Sequence, residues 1–218
     1  MGFDLEFALS LVPSILKASI TTIWITLASS ALAIVLGFLL EMLRSINTAT
    51  RHVMTLVIDF LRVTPILALM YFMFFVLPYY GVELPAAVVG ILTLSLHYAG
   101  YLAEVFKAAI KEIPPGQSEA AQALGLPRVH TAVLVLLPQV MRNAAPAASN
   151  YVLSILKSTP YLAVLAVPEM LSTALDHAAQ SFRYVEPMAV VGLLFLLFCF
   201  VTGRGIDYFH RRLRSRDA

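Results

Sequence analysis

Five ionisable residues stand inside otherwise apolar stretches: Asp59, Arg62, Glu104, Arg142 and Lys157. A charge at membrane depth is costly and is kept where it faces a bundle interior or a water-filled path, so each is a candidate for handling a polar solute. Asp59 and Arg62 are three residues apart on one helical face, near the cytoplasmic end of a span, where a local ion pair with snorkelling is the structural explanation. Glu104 and Lys107 allow the same account. Lys157 differs, because Ser158, Thr159 and Pro160 follow it and the proline breaks the helix; a charge beside a broken helix can line a gate or cavity. Asn150, Ser154 and Lys157 are four and three residues apart and share one helical face. That face is the candidate pathway, with polar attachment between packed helices as the competing explanation of Asn150 and Ser154.

Other chemistry is missing. The sequence has no Gly-x-x-x-x-Gly-Lys-Ser/Thr phosphate loop, no His-Glu-x-x-His pair and no Gly-rich nucleotide fingerprint, so neither ATP hydrolysis nor a cofactor is expected in this chain. His52, His97, His130, His177 and His210 are scattered, and no metal site is expected; His97, beside Tyr98, reads as a hydrogen-bonded core histidine. Cys199 is the single cysteine, which excludes an intrachain disulfide, and its apolar surroundings make it a packing residue.

The elements that must carry these residues follow from bulk composition. Of 218 residues, 60% are hydrophobic and 13% charged, against roughly 25% charged in a soluble domain. The mean hydropathy is +0.83. An all-α membrane protein is expected, with the whole of residues 1–218 as one transmembrane domain. Spans of about 20 apolar residues fit Ile15 to Leu40, Leu56 to Tyr79, Leu84 to Ile110 and Met188 to Tyr208. The apolar region Val129 to Ala174 is interrupted by Pro138, Pro146, Pro160 and Pro168, and reads as one span near Gln139 to Ser158 with broken pieces on either side. The total is five spans. Positive charge gathers at Arg44 and Arg51, at Lys107, Lys111 and Arg128, and at Arg211, Arg212, Arg214 and Arg216, which places those connections and the carboxyl terminus in the cytoplasm. The amino terminus, with Lys17, and the segment Glu169 to Glu186 fall outside, consistent with an odd number of crossings. Met1 to Val12 carries Asp4 and Glu6 where a secretory leader would be basic, and is expected to be mature sequence. The formal net charge of +2 resides at span ends and in the tail, so topology accounts for it and no nucleic-acid partner is inferred.

One connection, about residues 111–128, is longer than a linker requires. Pro114-Pro115-Gly116 stops the preceding helix, Gln117 or Ser118 can begin another, Glu119 suits its first turn, and Gly125 followed by Pro127 ends it. Two turns of helix are too short to be stable alone in water. Ala120, Ala121 and Ala123 allow a second backbone to approach closely, and Glu119 offers a charge at the amino-terminal end. An interfacial helix in the lipid headgroups is the other reading; the lack of an aromatic anchor favours a protein partner.

Glu119-Ala120-Ala121 with Gly125, followed by Leu137-Pro138-Gln139, resembles the signature loop of ABC importer permeases. Leu61-Arg62-Val63-Thr64-Pro65, Tyr101-Leu102-Ala103-Glu104-Val105-Phe106, Ile113-Pro114-Pro115-Gly116-Gln117 and Leu156-Lys157-Ser158-Thr159 are similar to the polar amino acid branch of that family. The resemblance implies a type I importer permease fold of about five transmembrane helices with a cytoplasmic coupling helix. Glu119, Ala120, Ala121 and Gly125 become the ATPase-coupling residues, and Arg62, Glu104, Asn150, Ser154 and Lys157 the substrate pathway. It implies separate ATPase subunits holding ATP and magnesium, a second permease, identical or related, a substrate-binding protein and a bacterial inner-membrane location. The implied cargo is a polar amino acid or a related solute such as an opine or compatible solute. Here Ser158 and Pro160-Tyr161 stand where the family often has Asp and Ser-Leu. An ion-coupled secondary transporter or channel, with Glu104 coupling ion movement, is the rival from another class.

Overall fold

A computed structural model describes residues 2–214, so Arg216 and Asp217 of the basic tail lie outside the described residues. Every regular element among the described residues is helical. Helix α1 (Leu5–Arg44) begins on Asp4, whose side chain accepts the Phe7 N–H at 3.0 Å, and continues through Pro13. It therefore starts well before the expected Ile15. Lys17 lies within it, about 18 Å from its start at 1.5 Å per residue.

Helix α2 (Thr48–Val63) opens on a reciprocal cap, with Asn47 accepting the Thr50 N–H and Thr50 accepting the Asn47 N–H. It stops at Thr64, held extended at φ −66° and ψ 126°. Pro65 causes the stop by excluding the helical region for its predecessor. Helix α3 (Ile66–Tyr71) and the π-helical and 3₁₀ turns Phe72–Val76 and Leu77–Tyr80 then leave at 101° to α2. The expected continuous span Leu56 to Tyr79 is thus a sharply bent pair.

Helix α4 (Ala86–Lys111) is the central element, packed against α1, α2 and α7. Small residues make this possible: a Cβ on Gly37 would stand 2.7 Å from the Leu102 Cβ and 3.0 Å from the Ala99 carbonyl, while one on Gly100 would meet Arg62 Cγ at 2.8 Å. Close backbone approach of this kind replaces the hydrophobic effect as a source of helix association in lipid.

After α4 come α5 (Gly116–Ala123) and α6 (Arg128–His130), then a π-helical segment, Thr131–Leu136, that runs directly into α7 (Leu137–Ser158). Pro138 occupies the first turn of α7 and Pro146 lies within it, and the helix covers the expected Gln139 to Ser158. A 3₁₀ segment, Thr159–Leu165, turns the chain into α8 (Met170–Ser181), and α9 (Val185–Arg214) closes the bundle. Glu169 caps α8 through the Ser172 N–H at 2.7 Å, and the Met170 N–H reaches Thr22 Oγ1 of α1 at 3.3 Å. A smaller core of Leu11, Ile15, Met170, Ala174 and Val191 joins α1, α8 and α9.

Three helices, α1, α4 and α9, are each long and apolar enough to cross a membrane, and two bent pairs, α2 with α3 and the α7 region with α8, raise the number to five. Leu193, Leu196, Leu197 and Phe200 of α9 and Ile20, Trp24 and Leu27 of α1 are exposed, as lipid-facing residues must be.

Candidate functional site

Helix α5 starts at Gly116, earlier than Gln117 or Ser118, because Ser118 Oγ turns back to the Pro115 carbonyl at 2.9 Å instead of capping. Its other end is closed by two crossed bonds, Leu126 N–H to the Ala121 carbonyl at 3.0 Å and Gly125 N–H to the Gln122 carbonyl at 2.9 Å. That pair is the Schellman motif, and it needs a left-handed residue at Gly125, where φ is +75°. Ala121 is buried toward the bundle, whereas Glu119, Ala120 and Gly125 face outward. Leu124, which the sequence reading did not single out, is 81% exposed at the loop tip.

The loop is tied to the bundle. Gln139 Nε2 of α7 donates to Gln117 Oε1 of α5 at 3.2 Å. Toward the other end of α7, Tyr98 of α4 bonds Ser158 Oγ at 2.8 Å and donates to the Ser154 carbonyl at 3.2 Å.

Between α2, α4 and α7 lies a cavity of about 290 Å³ whose polar walls are Arg62, Tyr101, Glu104, Glu112, Asn143 and Tyr151. The break at Thr64-Pro65 puts Arg62 there. Packed against Gly100, it stands level with a point eleven residues, about 16 Å, before the charged end of α4. Its ion pair with Asp59 is long, 3.7 Å, and its guanidinium lies 5.2 Å from the centre of the Tyr101 ring. Arg62 Nε is buried without a hydrogen-bond partner. His97 is buried as expected, but its Nδ1 has no hydrogen-bond partner; its ring packs on Tyr98 and Tyr101 at 5.2 and 5.3 Å.

Glu104 forms the expected contact with Lys107 at 3.4 Å, and also receives Arg44 Nη1 of α1. Arg44 is held in turn by Glu41, its Nε donating at 2.6 Å, and both of these α1 residues are buried. The signal for this network was present as an acid and a base three apart at the end of an apolar helix. Asn150 and Lys157 are exposed on α7 and do not line the cavity, yet Asn143, Ala147, Asn150, Ser154 and Lys157 recur at four and three residues and so form one stripe. Asn143, Tyr101 and Tyr151 went unrecognised because only a neighbouring helix brings them together.

The sequence profile described as binding-protein-dependent transport system inner membrane component matches residues 33–215. The chain is 37% identical over 200 residues to a probable amino-acid ABC transporter permease protein of Sinorhizobium fredii, covering 91% of this chain and 87% of the relative. It is 30% identical over 201 residues to a probable amino-acid ABC transporter permease protein of Bacillus subtilis, covering 92% and 89%. It superposes on a chain of an amino acid ABC transporter crystallised with histidines, with a TM-score of 0.88 at 24% identity over 97% of this chain and 100% of that one.

Proposed function

The chain belongs to the family of binding-protein-dependent transport system inner membrane components, and from that membership we propose how it links an ATPase to the import of an amino acid. It is a permease subunit of an ABC importer, a multi-pass membrane protein without catalytic activity; ATP hydrolysis is done by separate subunits. The family decides against the ion-coupled transporter or channel.

In the proposed assembly, two permeases, identical or related, form the core, two ATPases holding ATP and magnesium bind on the α5 side, and a substrate-binding protein delivers cargo from the other. The α5 side is cytoplasmic on the positive-inside bias, since Arg44, Arg51, Lys107, Lys111 and Arg128 cluster there. The amino terminus is external and the carboxyl terminus cytoplasmic. Glu119, Ala120 and Gly125 dock the ATPase, with Leu124 added to them, while Ala121, named with them from the sequence, is buried and seats α5 on the bundle instead. Alternating access follows when the ATPases close and pull α5.

One observation carries this reading: the Schellman-closed α5 is hydrogen-bonded to α7 through Gln117 and Gln139, so its displacement is handed to the helix that walls the cavity. The cavity chemistry supports an amino acid, with Arg62 suited to a carboxylate, Glu104 and Glu112 to an ammonium group and the tyrosines to a side chain. The names of the relatives point to the same class. Asn150, Ser154 and Lys157 continue the pathway along the α7 stripe.

The test is to assemble Glu119→Lys and Leu124→Asp variants with the ATPase and measure copurification and uptake of a panel of amino acids in proteoliposomes. Both variants are expected to lower ATPase binding by roughly tenfold, the effect of about 1.4 kcal/mol. Unchanged copurification and uptake in both would refute docking through α5.

A further inference from the structure

At the α5 end of the bundle there is a second, apolar cavity of about 490 Å³, bounded by Phe38 and Met42 of α1, Ile110 of α4, Pro114, and Val133 and Leu136 of the π-helical segment. It is well within the size of small-molecule sites, roughly 300–1,000 Å³. Ser45 and Ile110 line it and also line a neighbouring cavity of about 360 Å³. The walls of that neighbour carry Arg44, Arg51, Lys107 and Lys111. Glu41 and Glu104 answer the charges of Arg44 and Lys107. Arg51 and Lys111 have no ion-pair partner among the described residues.

An apolar chamber opening beside two unanswered cations has the polarity of one molecule, an amphiphile with an anionic head. We propose that the joined cavities bind an anionic phospholipid, an acyl chain filling the first and the phosphate resting between Arg51 and Lys111. The flanking surface presents Leu39 and Leu43 of α1, and Ile46 just after it, outward, so an acyl chain can enter from the bilayer. A second copy of this chain is a poorer occupant, because it would bring the same basic charge to the same level. The bound chain would touch Pro114, Pro115 and Ser118 at the root of α5 and the segment leading into α7, and so brace the coupling loop against α1. This inference rests on the permease reading for the membrane level of the α5 end.

The experiment uses the permease assembled with its ATPase, in nanodiscs of phosphatidylcholine and phosphatidylglycerol, with retained lipid counted by native mass spectrometry. Wild type is expected to retain phosphatidylglycerol selectively. Arg51→Gln with Lys111→Gln should lower that preference roughly fivefold for each cation removed, and Ala132→Trp, which fills the apolar chamber, should expel the lipid with both cations intact. An undiminished preference in the double variant, or equal retention of the two lipids by wild type, would overturn the proposal. ATPase copurification from the wild-type samples separates the two ideas: its failure there, with phosphatidylglycerol still selectively retained, counts against docking through α5 and leaves the lipid site standing.

Discussion

Gln139 of α7 donates from one amide nitrogen to Gln117 of α5 at 3.2 Å and to the Val135 carbonyl at 2.8 Å, so a single side chain joins α5, the π-helical segment and α7. The second bond matters because residues in a π-helical turn leave carbonyls poorly matched to the ordinary ladder. Replacing Gln139 by Leu removes about 0.5–1.5 kcal/mol of stability, too little to unfold the chain. Amino-acid-stimulated ATP hydrolysis should nevertheless fall several-fold while basal hydrolysis persists. Equal stimulation in Gln139→Leu and wild type, measured in proteoliposomes, would show that the loop moves α7 by another route.

Gly125 closes α5 at φ +75°, with nothing within 4 Å of where a Cβ would be. Conformation rather than space sets the cost of change there, roughly 1–2 kcal/mol for a residue with a Cβ. Gly125→Val should loosen α5 and weaken ATPase copurification, and Gly125→Asn should restore most of it, since asparagine tolerates the left-handed region. Identical losses in the two variants would point to crowding by the docked partner in place of backbone strain.

Arg44 joins buried Glu41 on its own helix to half-buried Glu104 on α4. Removing a buried cation leaves a carboxylate unanswered, at a cost of about 3–5 kcal/mol. Arg44→Met should therefore lower the thermal midpoint in detergent far more than Glu104→Gln, whose site admits water. A larger drop for Glu104→Gln would mean that the α1 pair stands without α4.

At the opposite end, Arg183 Nη1 donates to Asp4 at 3.2 Å, and Arg183 also pairs with Glu186. The Phe7 N–H first, and Arg183 second, hold the Asp4 carboxyl below its ordinary value. Because the folded chain favours the anion, this contribution is complete above about pH 4 and is lost as pH falls through the lowered value. Thermal unfolding between about pH 5 and pH 2 should consequently fall more steeply for wild type than for Asp4→Asn. Parallel curves would remove the cap and ion pair from the acid response.

The α5 loop was legible because its cues are local. Proline and glycine punctuate the chain by their own backbone limits, and Pro114-Pro115-Gly116 and Gly125 enclose an alanine-rich run whatever surrounds it. The spans α4 and α9 were equally legible, since each is predominantly apolar over the thickness of a bilayer. The bend after α2 was encoded just as locally, in Thr64-Pro65, but the apolar residues on both sides hid it within one hydropathy peak.

The sequence by itself determined a helical membrane protein with a short, separately bounded helix in one connection, because span length, charge bias and turn chemistry depend on neighbours along the chain. Tertiary structure alone decided what the intramembrane charges do. Glu104 looked like half of an i,i+3 pair with Lys107, and became the partner of Arg44 sixty residues earlier. Arg62 looked like a snorkelling end residue, and became one wall of a cavity because Gly100 lets α2 lie close against α4. Asn143 shares the stripe of Asn150, Ser154 and Lys157, but nothing along the chain sets it, or Tyr151, against α4. Their role depends on which face of α7 meets α4, and packing in three dimensions, not spacing along one helix, fixes that rotation.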